Sequence, residues 1–465
     1  MTHYDAIVIG SGQAGHFLAV RMAEAGMKVA LVEREHLGGT CVNDGCTPTK
    51  TMVASARAAH IARRGADFGV TTPGPISVDM AAVRARKDRI VGESTDSLAS
   101  WLAGTANLSL VWGHARFIAA HTLEVGSEQL EAPKIFINVG GRPVLPDWPG
   151  IGDVPVLTNI SVMTLDVVPE HLVVVGGSYI GLEFAQMFRR FGAEVTVLEY
   201  ADRLIGREDV EVSRAVQRIL EREGVEFHLG VRDGRLEPIG GGGARGTRVA
   251  FSAGGLARSV EASHVLAAVG RRPNSDDLGL DRAGISTDAR GYIGVDDRLQ
   301  TNVEGVWALG DVNGRGAFTH TAYNDFEIVA ANLLDGGDRR VGERIAAYAL
   351  FTDPPLARIG MSEAEARASG RKTLLGVMPM SRVGRARERG ETQGFMRVLV
   401  DAESERIVGA TLLCIEADEI IHSLLDMMYA GASYKVVQRA VHIHPTVSEL
   451  IPTLLGKLRE LPATT

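Results

Sequence analysis

The segment GTCVNDGCTPTK, Gly39 to Lys50, separates Cys41 from Cys46 by four residues and sets Cys46 directly before Thr47-Pro48. Two thiols this close can join as a disulfide and reopen, taking up and releasing two electrons by thiolate attack on sulfur. Pro48 suits the first turn of a helix, where its missing N–H is no loss. Cys46 is therefore expected at a helix N-terminus, whose partial positive charge favours a thiolate. Asp44 lies between the two. Aimed at the sulfurs, its charge would oppose thiolate formation; aimed away, it would do little. Three cysteines are too few for a disulfide framework, and a reducing compartment would keep ordinary thiols reduced. The third, Cys414, lies in an apolar strand pattern and reads as buried core.

A dithiol needs a source or sink of electrons, and one strand-turn-helix-strand pattern occurs twice in the chain. Ala6 to Ile9 leads into Gly10-Ser11-Gly12-Gln13-Ala14-Gly15, a helical stretch to Ala25, and the strand KVALVE ending at Glu33. LVVVGG leads into Ser178-Tyr179-Ile180-Gly181, a helix to Phe191, and EVTVLE ending at Glu199. Gly15 to Glu33 and Gly181 to Glu199 both span 18 positions. In such a unit the glycine turn lets backbone approach a pyrophosphate at a helix N-terminus, and the acidic residue accepts a ribose hydroxyl. Gly10, Gly12, Gly15 and Glu33 form the first candidate site. Gly176, Gly181 and Glu199 form the second, with Ser178 where a middle glycine is expected. Glu199 would repel a 2′-phosphate, which favours NADH over NADPH; Arg203 and Arg207 nearby pull the other way.

The elements around these motifs are ordinary for a globular chain of 465 residues. A long helical candidate from Val78 to Leu102 and short strands between Ser109 and Ile137 extend the first unit. The tract Gly240 to Gly243 reads as a hairpin tip. Past Ala346 the texture changes, and RIVGATLLC and DEIIHSLLDMMYAG point to a C-terminal α+β unit. With 57 acidic and 49 basic residues the net charge is -8, so no basic excess points to nucleic acid or an anionic membrane. The chain runs from Met1 straight into a strand without a secretory leader, and no apolar run reaches the roughly 18 residues of a membrane span. A soluble cytoplasmic protein is expected, and no metal site.

The segment around the cysteines resembles the active site of the flavin disulfide reductases, the class I pyridine nucleotide-disulfide oxidoreductases that include dihydrolipoamide dehydrogenase, glutathione reductase and mercuric reductase. The resemblance extends over nearly the whole chain, through HYDAIVIGSGQAG, INVGGRP (Ile137 to Pro143), GGSYIGLE (Gly176 to Glu183), AAVGRRPN (Ala267 to Asn274), TNVEGVWALGD ending at Asp311, and HIHPTVSE (His442 to Glu449). It implies an α/β fold with two Rossmann-like dinucleotide-binding domains and a C-terminal α+β dimerisation domain. On that reading residues 1–150 and 271–345 form the FAD-binding domain, 151–270 the NAD(P)-binding domain, and 346–465 the dimerisation domain.

The resemblance also implies roles for single residues. Cys41 is the exposed interchange thiol and Cys46 the thiolate facing the flavin. Lys50 reaches flavin N5 and pairs with Glu183. Gly39, Thr40, Gly140, Gly270 and Ile180 line the cofactor sites, Asp311 binds the ribityl chain, and the helix opening near Thr319 and His320 points its positive end at the flavin. Tyr179 covers the nicotinamide pocket until the dinucleotide displaces it. His444, held by Glu449, is the acid-base group serving the other subunit's site, so a homodimer is implied. The chemistry agrees: a base of near-neutral pKa must manage the leaving thiol's proton, and a histidine oriented by a carboxylate suits that task. His442 carries no assignment.

The activity implied is electron transfer from NADH or NADPH through FAD and the Cys41–Cys46 pair to a small disulfide or sulfenyl-type oxidant. Dihydrolipoamide dehydrogenase running toward NAD, a mercuric reductase-like metal reductase, and a low-turnover flavin redox sensor are the alternatives. A second cysteine pair near the C-terminus and an N-terminal metal-binding module, both found in mercuric reductases, are not present in the sequence. The basic segment Arg382 to Arg389 reads as a solvated hairpin face.

Overall fold

The computed structural model describes residues 1–240 and 246–462. AIVI at Ala6–Ile9 and VALVE at Val29–Glu33 are buried at every position, as strands are when helices cover both faces, and they pair in parallel. They belong to a five-stranded parallel sheet ordered Val306–Ala308, Ile135–Ile137, Ala6–Ile9, Val29–Glu33, Leu108–Trp112. The edge strand Val306–Ala308 follows the second nucleotide unit in the chain, so the first sheet is completed only after the second has been built. That second sheet is also five-stranded and parallel, ordered Val156–Leu157, His264–Ala267, His171–Val175, Glu194–Leu198, Val225–His228. The sequence repeat is thus a repeat of topology, with the strand before each glycine turn at the centre of its sheet.

Beyond residue 346 the sheet changes character. Six antiparallel strands run in the order Ala347–Leu350, Leu356–Gly360, Ile407–Leu413, Phe395–Asp401, Thr373–Pro379, Arg459–Glu460. The helix Ala417–Tyr429 packs on it through Ile421 and Leu424, and Cys414 is fully buried in the same core. The molecule is therefore mixed α/β, with two parallel dinucleotide-type sheets and a C-terminal α+β unit.

One local expectation needs amendment. Arg382 to Arg389 is not a hairpin face: a 3-10 turn over Met380–Arg382 leads into a short helix, Gly384–Glu388. Met380, Val383 and Ala386 are all buried, and their spacing of three suits helical turns rather than strand alternation. The arginines there are partly paired, Arg385 with Glu388 and Arg389 with Glu416. At the glycine tract, Arg232–Ile239 and Gly246–Ala253 do form an antiparallel hairpin, Ile239 opposite Gly246, while Gly241 to Gly243 lie outside the described residues.

One packing relationship sets up the site. Met52 and Ala56, on the Cys46–Arg63 helix, share a core with Leu182, Phe184 and Phe188 of the Tyr179–Phe191 helix. The helix that begins with a redox cysteine is thereby fixed against the helix that begins the second glycine turn.

Candidate active site

Each glycine turn is made by close backbone approach. A Cβ on Gly10, at φ +96°, would lie 2.4 Å from the Asn138 carbonyl oxygen; one on Gly176, at φ +116°, would lie 2.4 Å from that of Ala268. Gly15 and Gly181 serve differently from a ligand contact. Neither faces the cavity described below, and a Cβ on either would meet the carbonyl oxygen of Gly10 or Gly176 at 2.0 or 1.9 Å, so they let helix and strand close up. The two acidic residues are held in the same way. Glu33 accepts from Ser11 N at 2.9 Å and Glu35 N at 2.9 Å; Glu199 accepts from Gly177 N at 2.5 Å and Ala201 N at 2.7 Å. A carboxylate so fixed is oriented by amides and keeps lone pairs for a ribose hydroxyl.

One cavity of 2190 Å³ joins both turns. A single drug-sized ligand needs only roughly 300–1,000 Å³, so the space suits two dinucleotides. On one side it is lined by Gly10, Gly12, Glu33, Gly39, Thr40 and Gly140, and on the other by Gly176, Tyr179, Ile180, Glu199 and Gly270. Between them lie Cys41, Cys46, Lys50, Glu183, Asp311 and Thr319. The first side fits a dinucleotide with a pyrophosphate. Among the described residues the amides of Gly12, Gln13 and Ala14 donate to no group of the chain. Asn138 braces the turn, its Oδ1 accepting from Gly15 N and its Nδ2 donating to the Leu309 carbonyl, both at 2.9 Å. Burial pushes the Asp311 carboxyl above its ordinary range against the pull of Arg271, whose Nε lies 3.8 Å away.

Cys46 is the first residue of its helix and Cys41 lies on the preceding short helix Gly39–Asn43; both thiols are free. Cys46 is pulled down to about 6, first by the hydrogen bond from the Cys41 thiol, against burial, with further help from the Thr319 hydroxyl and the Lys50 ammonium. The Cys41 thiol, as donor, is pushed well up. The Cys46 Sγ to Thr319 Oγ1 distance is 3.1 Å. Lys50 Nζ pairs with Glu183 Oε2 at 2.7 Å, and Glu183 Oε1 accepts from Phe351 N at 2.9 Å. Within one chain Cys46 is the exposed residue of the pair and Cys41 is half-buried, and both line the cavity. Asp44 borders the same cavity. Burial raises its carboxyl, and the charges it meets are His36, Glu35, Arg271 and Lys87.

His444 and Glu449 are paired, Nδ1 lying 2.9 Å from Oε2, but the imidazole is 81% exposed and neither residue borders the cavity. Neighbouring Val441 and Ile443 stand out at 101% and 80% exposure. A single chain therefore does not bring His444 to the cysteines. Arg203 is also off the cavity, its Nη2 donating to the Gly206 carbonyl at 2.7 Å, whereas Arg207 borders it. Sequence reasoning passed over Asn138 although it lies inside INVGGRP, a motif it used. It also missed Tyr348, Glu208 and Arg358, which no local pattern marks.

The pyridine nucleotide-disulphide oxidoreductase family matches residues 4–325, and the dimerisation domain of that family matches residues 346–455. The probable pyridine nucleotide-disulfide oxidoreductase RclA of Escherichia coli (strain K12) is 36% identical over 469 residues, covering 99% of this chain and 100% of its own. A dihydrolipoyl dehydrogenase of Haloferax volcanii is 35% identical, over 97% of this chain and 95% of its own. A mercuric reductase of Lysinibacillus sphaericus is 32% identical, over 90% and 76%. Among solved structures, the Cu(II) complex of the HOCl-induced flavoprotein disulfide reductase RclA from Escherichia coli superposes with a TM-score of 0.89 at 34% identity, covering 98% of this chain and 99% of that one.

Proposed function

The chain belongs to the pyridine nucleotide-disulphide oxidoreductases, and from that premise we propose that it moves two electrons from a reduced nicotinamide nucleotide, through FAD and the Cys41–Cys46 pair, to a small disulfide or sulfenyl-type oxidant. The observation that carries this reading is the Cys46 sulfur, drawn down to about 6 by the Cys41 thiol and by Thr319 and Lys50, at the meeting point of two dinucleotide sites. FAD, when bound, supplies the step between hydride donor and disulfide.

Its binding falls to the glycine turn at Gly10 and Gly12, Glu33, Asp311 and Lys50, with Thr40 and Gly140 along the wall. Reduction of the Cys41–Cys46 disulfide leaves Cys46 as thiolate and Cys41 as thiol. Cys41, once deprotonated, attacks a substrate disulfide and releases one thiol. Cys46 then attacks the Cys41 sulfur, restoring the internal disulfide and expelling the second half as a thiolate, which takes its proton from solvent. His444 of the partner subunit, oriented by its carboxylate, takes the Cys41 proton and returns it to the leaving thiolate. The match to the family's dimerisation domain and the outward-standing Val441 and Ile443 support a homodimer.

NADH is the preferred donor on this reading. Supporting this, Glu199 borders the cavity in the grip of two backbone amides, and Arg203 donates to the Gly206 carbonyl. Tyr179 is the gate of the nicotinamide pocket. No helix of the described residues is long and apolar enough to cross a membrane, and we place the protein in the cytoplasm.

The deciding experiment is a screen of NADH and NADPH oxidation against low-molecular-weight disulfides, sulfenyl compounds, lipoamide, quinones, Hg(II) and Cu(II). Disulfide-dependent turnover that Cys46→Ser abolishes supports the proposal. Turnover confined to dihydrolipoamide and NAD⁺, or to a metal ion, or negligible with every acceptor, would replace it.

A further inference from the structure

Tyr179 opens its helix on the cavity, and its buried hydroxyl has the Tyr348 hydroxyl as a neighbour but makes no well-aligned hydrogen bond among the described residues. What holds the side chain is aromatic. Its ring stands edge-on to Tyr348, centroids 5.6 Å apart at 83°, and to Phe318 at 6.3 Å and 89°. Phe318 lies parallel to Tyr348, at 5.8 Å and 11°, and parallel to His320, at 5.3 Å and 11°. The three form a stack against which Tyr179 abuts, next to Thr319, the hydroxyl partner of Cys46.

Tyr348 differs from the others in how firmly it is held. Its hydroxyl donates to Glu208 Oε1 at 2.6 Å, and Glu208 Oε2 accepts from Arg358 Nε at 2.9 Å. Arg358 also pairs with Asp209 at 3.1 Å. The Glu208 and Arg358 side chains are 0% and 4% exposed, so this is a dry chain of charges with partners on both sides. Tyr348 and Arg358 come from the C-terminal antiparallel sheet, Glu208 from the loop after the second glycine unit.

We propose that Tyr348 is the seat on which Tyr179 rests when the nicotinamide pocket is closed, a positioning residue that the C-terminal domain supplies to the gate. The inference rests on the reading of Tyr179 as that gate. A closed gate lowers the apparent affinity for the nucleotide by the fraction of molecules that are closed. An edge-to-face pair stabilises the closed state, so removing the seat opens the pocket and tightens binding, the reverse of what structural damage does. From the usual strength of such a pair the gain is roughly two- to tenfold.

The test is calorimetric titration of the oxidised holoenzyme with NAD⁺ and, separately, NADP⁺, with FAD content and melting midpoint measured for each variant. Tyr348→Ala is expected to lower Kd by roughly two- to tenfold, and Tyr348→Phe, which keeps the ring, to stay within about twofold of wild type. Tyr179→Ala should tighten binding as well, and adding Tyr348→Ala to it should change nothing further, because one residue acts through the other. Where Tyr348→Ala fails to retain FAD, Tyr348→Leu keeps apolar bulk and takes its place. Tighter binding in Tyr179→Ala but not in the Tyr348 variants overturns the seat and leaves the gate standing. No tightening in Tyr179→Ala removes the gate, and the seat with it.

Discussion

The Thr319 hydroxyl lies 3.1 Å from the Cys46 sulfur, joining the first residues of two helices that the sequence separates by 273 positions. Both helices present their N-terminal ends to the same sulfur, and the Cys41 thiol and Lys50 ammonium add to the effect. A negative charge on Cys46 is therefore favoured from several directions.

The reduced enzyme should then alkylate with iodoacetamide at a rate that rises through a midpoint of about 6, well below the roughly 8.5 of an ordinary thiol. Adding two electrons should also produce a long-wavelength charge-transfer absorbance that fades as pH falls through the same midpoint, and Cys46→Ser should abolish it. Thr319→Val should move the midpoint up. Asp44→Leu should leave it in place, since the charge of Asp44 is not among the influences that set Cys46. A midpoint near 8 to 9 in the wild type would overturn the assignment of Cys46.

For the nucleotide, kcat/KM is expected to be higher with NADH than with NADPH. Glu199→Ala removes the acceptor of Gly177 N and Ala201 N as well as the ribose partner. Loss of charged hydrogen bonds of this kind should lower kcat/KM for NADH by roughly tenfold or more. A wild-type preference for NADPH would instead assign Arg207, the arginine that borders the cavity, to the 2′-phosphate.

A shared site predicts complementation. Neither Cys46→Ala nor His444→Ala homodimers should turn over a disulfide well. In a mixed dimer both lesions fall in one site, and the other keeps its cysteines and its histidine. Random reassortment makes half the dimers mixed, so about a quarter of all sites should work. The two mutants are dissociated together, reassembled with FAD, and compared with each treated alone. No recovery, with mixed dimers verified by mass spectrometry, means that His444 serves its own chain or does not act.

Asp353 ties the redox helix to the second nucleotide unit, binding Arg57 of one and Arg190 of the other, the latter at 2.6 Å. Burial pushes its carboxyl up, but Arg190 and Arg57 outweigh that and hold it below the ordinary range. The folded pKa lies under the unfolded one, so the stabilisation is complete above about pH 4 and is lost as pH falls through the lower folded value. Asp353→Asn should destabilise the holoenzyme at pH 7 by about 2–4 kcal/mol, read as a lower melting midpoint. The gap from wild type should narrow below about pH 4. A gap that is constant with pH would show that the charge is not what matters.

The local sequence by itself determined the parts whose physics is local. A glycine turn between an apolar strand and a helix can only be made by residues adjacent in the chain, so the turns at Gly10 and Gly176 and the acidic ends at Glu33 and Glu199 were legible. So was the placement of Cys46 at a helix start before Pro48, and the burial of Cys414. The tertiary structure decided what depends on residues far apart. It set that both cysteines line one cavity and that Asn138 braces the first turn. It brought Thr319 to Cys46 and Phe351 to Glu183, and it assembled Tyr348, Glu208 and Arg358 behind Tyr179 from the C-terminal sheet and a loop of the second nucleotide unit. Such contacts carry no spacing rule, because they arise only when the Cys46–Arg63 and Tyr179–Phe191 helices share one core and the C-terminal sheet closes over their ends.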